Sequence, residues 1–398
     1  MKQIKYAVVN SQFSTENLSK ETINILNNFD SIVQGVKPLN SRQLQQLPYN
    51  IRELSHQLTD NRSERRLGYM NENIQLSSYV RYYTWWNLVR LTRLFSNLSP
   101  ECFPSKESFC IDLGSGPLTV VSALWLSRPE LRKVKLTWYC LDVSANSMAL
   151  GEDIYLSISA KTAAASGAEE TPWKIIRVKG SFGTAIKQKA DFITCANMLN
   201  ELDQASTMPP EYQTKKYYDQ LKIYSGANAK YLLVEPGVPK AARTLSLLRG
   251  RFINDNFRVA FPCPHALECP MNGFKSYTGS KNKWCNFAFS TEDAPAKLLK
   301  LSSMAKLPKE RAVLSFISVS NDFSKESKNL LVKIASDSFY LPGNRTGFYG
   351  CSKLGLTLVN CEKNTALKSG DLISVALNEE ECASLPVDEK SGAKLIRL

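Results

Sequence analysis

A series of strand-length apolar runs, each closed by a glycine, a proline or an acid, constrains this chain more than anything else in it. SFCIDLGSGPLTVVSALWLS, residues 108–127, reads as an apolar strand, a glycine turn and a helix, and KLTWYCLDVS, residues 135–144, follows as a second strand ending on an acid. That is the opening of a βαβ unit, because a parallel partner strand is reached only through a crossover. WKIIRVKG, ADFITCANML and AKYLLVEPG supply three more strands, with helix-compatible segments between most of them. The economical arrangement is a parallel, doubly wound sheet, an α/β core. Past Pro236 and Gly237, AARTLSLLRGRFIND reads as a helix, and FRVAFPCPH and ERAVLSFISVS as two further strands. If those two pair as a hairpin, the cysteine-bearing stretch between them is an insertion in their connection.

The flanks have other periods. Residues 1–100 are read as an N-terminal helical region: TENLSKETINILNNFDSIVQGV and SRQLQQLPYNIRELSHQL carry apolar residues at three- and four-residue steps, with Ser41 set to cap the second. SSYVRYYTWWNLVRLTRLFSNL is a third, strongly amphipathic helix. Its aromatic stripe is expected to pack in the core, with Arg81, Tyr82 and Tyr83 facing a ligand pocket as the rival reading. The core is assigned to residues 101–323, including a Cys-rich insertion at 262–290. Residues 324–398 show short strands with turns and predict a small β domain, an oligonucleotide-binding-type barrel or a sandwich. SISAKTAAASGAEETP, the one low-complexity stretch, is read as a loop after a helix.

Asp112, Gly114 and Gly116 form D-x-G-x-G around Ser115 at a strand-to-helix turn. Glycine is needed where the chain turns sharply and a ligand approaches the backbone too closely for a Cβ. Asp142 ends the next strand, where a carboxylate can accept hydrogen bonds from ribose hydroxyls. Leu118 stands where the dinucleotide fingerprint has its third glycine. A nicotinamide dinucleotide, S-adenosylmethionine and a ligand-free turn are the candidates. The missing glycine and Pro117 count against the dinucleotide, since adenosylmethionine brings no pyrophosphate to the helix N-terminus. Asp112, Gly114, Ser115, Gly116 and Asp142 are the expected cofactor-binding residues. Asn197, Asn200 and Glu201, in ANMLNEL at the end of the fourth strand, are the catalytic candidates, with Glu201 equally able to cap the following helix. Transfer from a sulfonium depends mainly on positioning. No N/D-P-P-Y/F motif is present, and Pro262-Cys263 follows the fifth strand rather than the fourth, so its likeness to the Pro-Cys of cytosine C5 methyltransferases is accidental.

The stretch PCPHALECPMNGFKSYTGSKNKWCNF holds Cys263, Cys269 and Cys285 beside His265, one of 2 histidines in the chain. No apolar run is long enough to cross a bilayer and the start lacks a signal-peptide pattern, so a reducing compartment is expected. Thiolates clustered there call for a metal. His265 as fourth ligand would make a Cys3His zinc site. Cys351, in FYGCS, would instead make an all-cysteine site suited to an iron-sulfur cluster and would clamp the last domain onto the core. Buried thiols without a ligand are the plain alternative. The formal charge of +13 is spread along the chain; an evenly basic globule suits a polyanion, RNA above all, with solubility as the bland reading.

DLGSGP, ANMLNEL, LLVEPG, PCPHALECP and WCNF occur in the order found in the methyltransferase-like family associated with the mitochondrial small ribosomal subunit, which has bacterial members. From about Tyr69 to Ser320, and more weakly around Cys351, the chain resembles that family. The resemblance implies a class I S-adenosylmethionine-dependent methyltransferase (Rossmann-like) core and a role in small-subunit assembly through rRNA. It implies a four-iron four-sulfur cluster on Cys263, Cys269, Cys285 and Cys351, with zinc as the alternative, and cofactor contacts from Gly114, Gly116 and Asp142. The protein would be an rRNA methyltransferase or a metal-stabilised RNA-binding scaffold without turnover. It would be a monomer off the ribosome, with no membrane partner, in the cytoplasm or, in a eukaryote, the mitochondrial matrix. Family members commonly have histidine where Asn286 stands and glycine where Leu118 stands. NGFKSYTGSKNK is longer than usual and is expected to be a surface insertion.

Overall fold

The computed structural model describes residues 4–59, 70, 72–167, 170–204, 206–274, 282–323 and 329–398. The chain opens on strand β1 (Tyr6–Ser11), then helices α1 (Lys20–Asn27), α2 (Phe29–Val36) and α3 (Ser41–Thr59). Ser19 starts α1 by accepting a hydrogen bond from the Thr22 amide, which satisfies one of the unpaired first-turn donors. The aromatic segment forms α4 (Asn73–Tyr79), a π-helical turn over Val80–Thr84, and α5 (Trp85–Ser96). Its stripe packs in the core, with Tyr82, Trp85 and Trp86 at most 2% exposed. Arg81 is buried as well, donating to Gln34 Oε1 and Lys37 O at 2.7 Å.

The core runs β2 (Ser108–Leu113), α6 (Thr119–Ser127), β3 (Leu136–Asp142), α7 (Ala145–Ser166), β4 (Lys174–Lys179), β5 (Ala190–Ala196), α8 (Leu199–Gln204), α9 (Pro210–Tyr224), β6 (Ser225–Pro236), α10 (Pro239–Asn254), β7 (Val259–Phe261), β8 (Phe287–Ser290), α11 (Ala296–Met304) and β9 (Arg311–Val319). Sheet order is β4-β3-β2-β5-β6-β9-β7, with β8 also on β9. β2 to β6 are mutually parallel. The sheet is nevertheless mixed, because β9 runs antiparallel to β6, from Tyr231↔Val319 to Pro236↔Leu314. β7 and β9 pair antiparallel, as a hairpin reading requires. The same edge of β9 also carries β8, so the cysteine stretch divides this edge position into two short strands.

SISAKTAAAS is the end of helix α7 and not a loop: an alanine-rich run favours helix, and α7 stops only at Gly167, whose φ of +65° is left-handed. Beyond the core come β10 (Leu330–Ile334), β11 (Phe339–Leu341), β12 (Arg345–Ser352), β13 (Gly355–Glu362), β14 (Asp371–Val375), α12 (Glu379–Ala383) and β15 (Lys394–Arg397). They form a second sheet of order β1-β14-β10-β12-β13-β15, with β11 on β12. The N-terminal residues therefore do not make a purely helical region; β1 pairs with β14 from Tyr6↔Val375 to Ser11↔Asp371. As an edge strand with Val8 and Val9 exposed, it lacks the alternation that marks a half-buried strand. The boundary expected at 324 and most of the expected NGFKSYTGSKNK insertion lie outside the described residues, in 324–328 and 275–281. Among the described residues, no helix is long and apolar enough to cross a membrane.

The β2–α6 turn has left-handed glycines, Gly114 at φ +66° and Gly116 at φ +49°. It is held from behind by α7, whose Gly151 lies so close to Pro117 that a Cβ there would sit 2.3 Å from the Pro117 carbonyl carbon. A backbone atom cannot rotate away, so Gly151→Ala must force helix and turn apart. Thermal and denaturant unfolding should show a loss of about 2–3 kcal/mol; unchanged stability would contradict this packing.

Candidate cofactor cavity and cysteine cluster

At the carboxyl ends of β2, β3 and β5 lies a cavity of about 270 Å³. Its floor is Gly114–Pro117, Asp142–Ser144 and Gly180–Phe182; one wall is Ala196–Met198 with Glu201 and Leu202; Tyr79, Asn87 and Leu91 cover it. This is the rim at which open α/β sheets bind ligands. Asp142 clamps the turn: Oδ2 accepts from Gly116 N at 2.9 Å and Oδ1 from Ser144 N at 2.8 Å. Burial raises its pKa, and those backbone bonds oppose the rise. Gly114 has no room for a side chain, since a Cβ would stand 2.8 Å from Met198. Leu118 is fully buried with φ +52°. A left-handed backbone at this position explains why glycine serves there so readily; a leucine costs about 1–2 kcal/mol in that conformation.

Four of the five expected cofactor residues, Gly114, Ser115, Gly116 and Asp142, line the cavity. Asp112 does not. It is completely buried beneath the turn, where Oδ1 accepts from the Thr194 hydroxyl at 2.7 Å and Oδ2 has no hydrogen-bond partner. Burial pushes its pKa up to about 7. Among the catalytic candidates, Asn197 and Glu201 line the cavity, whereas Asn200 is buried and its backbone N–H donates to Glu235 Oε2 at 3.1 Å. Glu235 also accepts from Leu199 N at 2.9 Å, so it caps α8 from the end of β6. Burial raises its pKa to about 8. The acid of LLVEPG was its only sequence signal.

Sequence reasoning missed the contribution of the aromatic helix. Tyr79 and Asn87 reach the cavity, and Arg90 lies behind it. Arg90 Nη2 donates to Asn87 Oδ1 at 2.5 Å and Asn197 Oδ1 at 3.3 Å, and Nη1 donates to Val313 O at 2.9 Å. Burial lowers the Arg90 pKa to about 10. Asn87 and Arg90 were visible only as polar interruptions of an apolar stripe, and the π-helical turn resets which face they occupy.

Cys263, Cys269, Cys285 and Cys351 line one small cavity together with Arg249, Met271 and Lys333. Cys263 and Cys269 follow β7, Cys285 precedes β8, and Cys351 lies on β12 of the second sheet. Arg249, 4% exposed on α10, donates through Nε to Cys263 Sγ at 3.1 Å and through Nη2 to His265 O and Leu267 O, each at 2.8 Å. Burial raises the pKa of the Cys269, Cys285 and Cys351 thiols, and neighbouring cysteines add to the rise. His265 Nε2 lies 3.0 Å from Cys351 Sγ; burial, then Arg249, lowers its pKa to about 4. Among the described residues, no three His, Cys, Asp or Glu side chains are arranged to hold a metal ion. The stretch is also tied to the end of β6, because Trp284 Nε1 donates to Gly237 O, 3.0 Å away.

A parallel sheet with one reversed strand near its edge, and a glycine turn clamped by the acid of the next strand, define a class I methyltransferase-like protein with a Rossmann-like core. The family model described as Mitochondrial small ribosomal subunit Rsm22 matches residues 83–333, and the chain belongs to that family. No curated protein matches it. Solved structures similar to it include a putative class I S-adenosylmethionine-dependent methyltransferase from Listeria monocytogenes, at 10% identity over 79% of this chain and 91% of that one, TM-score 0.31. Magnesium protoporphyrin IX methyltransferase from Synechocystis matches at 13% identity over 52% of this chain and 86% of that one, TM-score 0.26. Ribosomal protein L11 methylase from Lactobacillus delbrueckii matches at 15% identity over 44% and 69%, TM-score 0.26.

Asp112 and Glu235 set the pH response of this region. Both carboxyls have pKa values raised on folding, to about 7 and about 8 from ordinary values of 3.8 and 4.5. The folded protein holds these protons more tightly than the unfolded one, so stability falls as pH rises between the two values. The cost is absent below about pH 4 and complete above about pH 8. Asp112→Asn keeps the Thr194 hydrogen bond and removes one titration. Melting temperature against pH should slope downward less steeply in the variant than in the wild type; parallel curves would contradict the assigned protonation.

Proposed function

We propose that this chain binds S-adenosylmethionine in the cavity at the ends of β2, β3 and β5, and acts on small-subunit rRNA as a methyltransferase-like assembly factor. The Gly114–Gly116 turn, clamped by Asp142, carries this reading: it combines close backbone approach with a carboxylate on the adjacent strand. Asp142 has further lone pairs for the ribose hydroxyls, and Phe182 and Leu202 offer apolar surface for the base. When bound, S-adenosylmethionine would supply an electrophilic methyl group, which an acceptor's electron pair would take from the sulfur as the sulfur kept the bonding pair. Asn197 and Glu201 would orient the acceptor, while Asn200 supports them through α8. The +13 charge suits the phosphates of an RNA partner. A second reading, cofactor binding without turnover, is favoured by the engagement of Asn197 Oδ1 with Arg90.

The four cysteines are proposed as ligands of a four-iron four-sulfur cluster that ties the second sheet to the core, zinc with His265 being the alternative. What supports this is the chemistry of the lining, four thiols in one cavity beside a buried guanidinium that no carboxylate neutralises among the described residues, although the side chains as placed form no metal-holding group. Thiolates around a cluster would supply that counter-charge. The protein would work as a monomer off the ribosome, in a reducing compartment, either the cytoplasm or the mitochondrial matrix.

Calorimetry should detect S-adenosylmethionine binding by the wild type and a loss of at least about tenfold in Asp142→Ala, with metal content unchanged; equal affinities would remove Asp142 from the site. Labelled adenosylmethionine offered with immature small subunits separates the two functional readings, since the second predicts binding without incorporation. Anaerobic protein should carry about four irons with matching sulfide and absorb broadly near 400 nm. Cys269→Ser should lose them while the first sheet stays folded. One zinc in a colourless wild-type preparation would sink the cluster reading.

A further inference from the structure

A cleft of about 1010 Å³, apart from both sites described above, lies where the second sheet meets the core. Val8–Ser11 of β1 and Ala288–Ser290 of β8 both line it. So do the aromatic rings of Phe13, Phe289 and Phe348, the first two stacked with centroids 5.1 Å apart. The outer edge of β8 is already used at both ends: Ala288 N donates to Ser369 Oγ at 3.1 Å, and Ser290 O accepts from Arg93 Nη1 at 3.3 Å. The edge of β1 is not. It pairs with β14 and with no other strand among the described residues, so its far side presents N–H and C=O groups that no strand answers.

Proteins commonly guard such an edge with lysine, proline or a bulge. Tyr6–Ser11 contains neither residue, and its one device is the bulge at Val9, between the Val8 and Asn10 pairings. Val8 and Val9 are 47% and 58% exposed. Asn10, which lines the cleft, keeps a buried Oδ1 without a hydrogen-bond partner among the described residues. That is an acceptor with no donor.

Charge says what kind of strand fits. The chain carries +13, yet the cleft is lined by five carboxylates and only two cations. Three of the carboxylates are engaged: Asp293 by Arg93 at 2.6 Å, Asp337 by Arg311, and Asp371 by the Lys368 amide at 2.8 Å. Glu16 and Glu292 are exposed, and their carboxylates make no hydrogen bond or ion pair among the described residues. Phosphates are repelled here, so an RNA strand is disfavoured on this face despite the net charge.

We infer that the free edge of β1 and the adjoining cleft take up an extended, lysine- or arginine-rich segment of a protein partner as an added strand. Main-chain pairing to β1 supplies affinity, and alternate side chains of the segment reach Glu16, Glu292 and the aromatic lining. β1 is 6 residues long and spans about 20 Å, so a segment of about six residues covers it.

The probe is a fluorescent peptide of alternating lysine and valine, titrated with the full chain at low ionic strength and followed by anisotropy. One analogue has glutamate in place of lysine. A second carries N-methyl groups on two consecutive central nitrogens, which block both edges of the strand and leave its charge. The wild type should bind the basic peptide at least about tenfold more tightly than either analogue, and the double variant Glu16→Lys, Glu292→Lys should lose about tenfold or more for it. Both side chains are exposed, so the melting temperature should not move; the methylated analogue, measured on the wild type, decides alone should the variant unfold. No binding by the wild type, equal affinity for either analogue, or unchanged affinity in the double variant overturns the strand-addition site. A wild-type dimer in sedimentation that the double variant loses would give the edge to a second copy of this chain, and oligouridylate binding that the double variant weakens would give it to RNA. Either result also overturns the assignment.

Discussion

Parallel pairing of β2 with β3 on one side and β5 on the other is the constraint on which the site depends. It sets Leu113 beside both Leu141 and Cys195, so the three strands end together. The Gly114–Gly116 turn, Asp142 and Asn197 are thereby delivered to one rim although they are distant in sequence. The clamp from Asp142 to Gly116 N and Ser144 N is local only because of that register. A shift of one residue would turn the acid to the opposite face of the sheet. Gly151 completes the arrangement by letting α7 touch the turn directly.

The aromatic helix does two jobs with one sequence. One face buries Tyr82, Trp85 and Trp86 in the core, which holds the helix rigidly over the sheet. The other brings Tyr79, Asn87 and Leu91 to the cavity. The π-helical turn at Val80–Thr84 lies between Tyr79 and Asn87; the extra residue it accommodates changes the angular offset between the two stretches, and π-turns recur at functional sites. Arg90 joins this lid to β5 and β9 through the side-chain oxygens of Asn87 and Asn197 and the Val313 carbonyl.

The cysteine stretch connects three parts of the molecule. Arg249 ties it to α10, Trp284 ties it to the end of β6, and Cys351 meets His265 from the second sheet. Splitting an edge position into β7 and β8 is tolerated because that edge has no further strand to support. A lysine of β10, Lys333, is 2% exposed and lines the same thiol cavity. Burial raises the pKa of the Cys285 thiol there, and the two buried cations, Lys333 and Arg249, oppose that rise.

By itself the sequence determined the elements whose signal is local. The apolar strand runs, the D-x-G-x-G turn with Asp142 after the next strand, and the amphipathic helices are all legible because burial and turn sterics act within a few residues of the chain. The stretch holding Cys263, Cys269 and Cys285 was legible as a chemical cluster for the same reason. What only the tertiary structure decided depended on which surfaces meet. Asp112 belongs under the turn and not at the cavity because Thr194, on a neighbouring strand, takes its carboxyl. Tyr6–Ser11 joins the second sheet through β14, a partner at the far end of the chain. Arg90, Asn87, Arg249 and Glu235 gained their roles from partners that fold brings to them: a guanidinium or carboxylate in an amphipathic stretch reads as solvated surface until burial removes the water and its hydrogen bonds must be met by the protein.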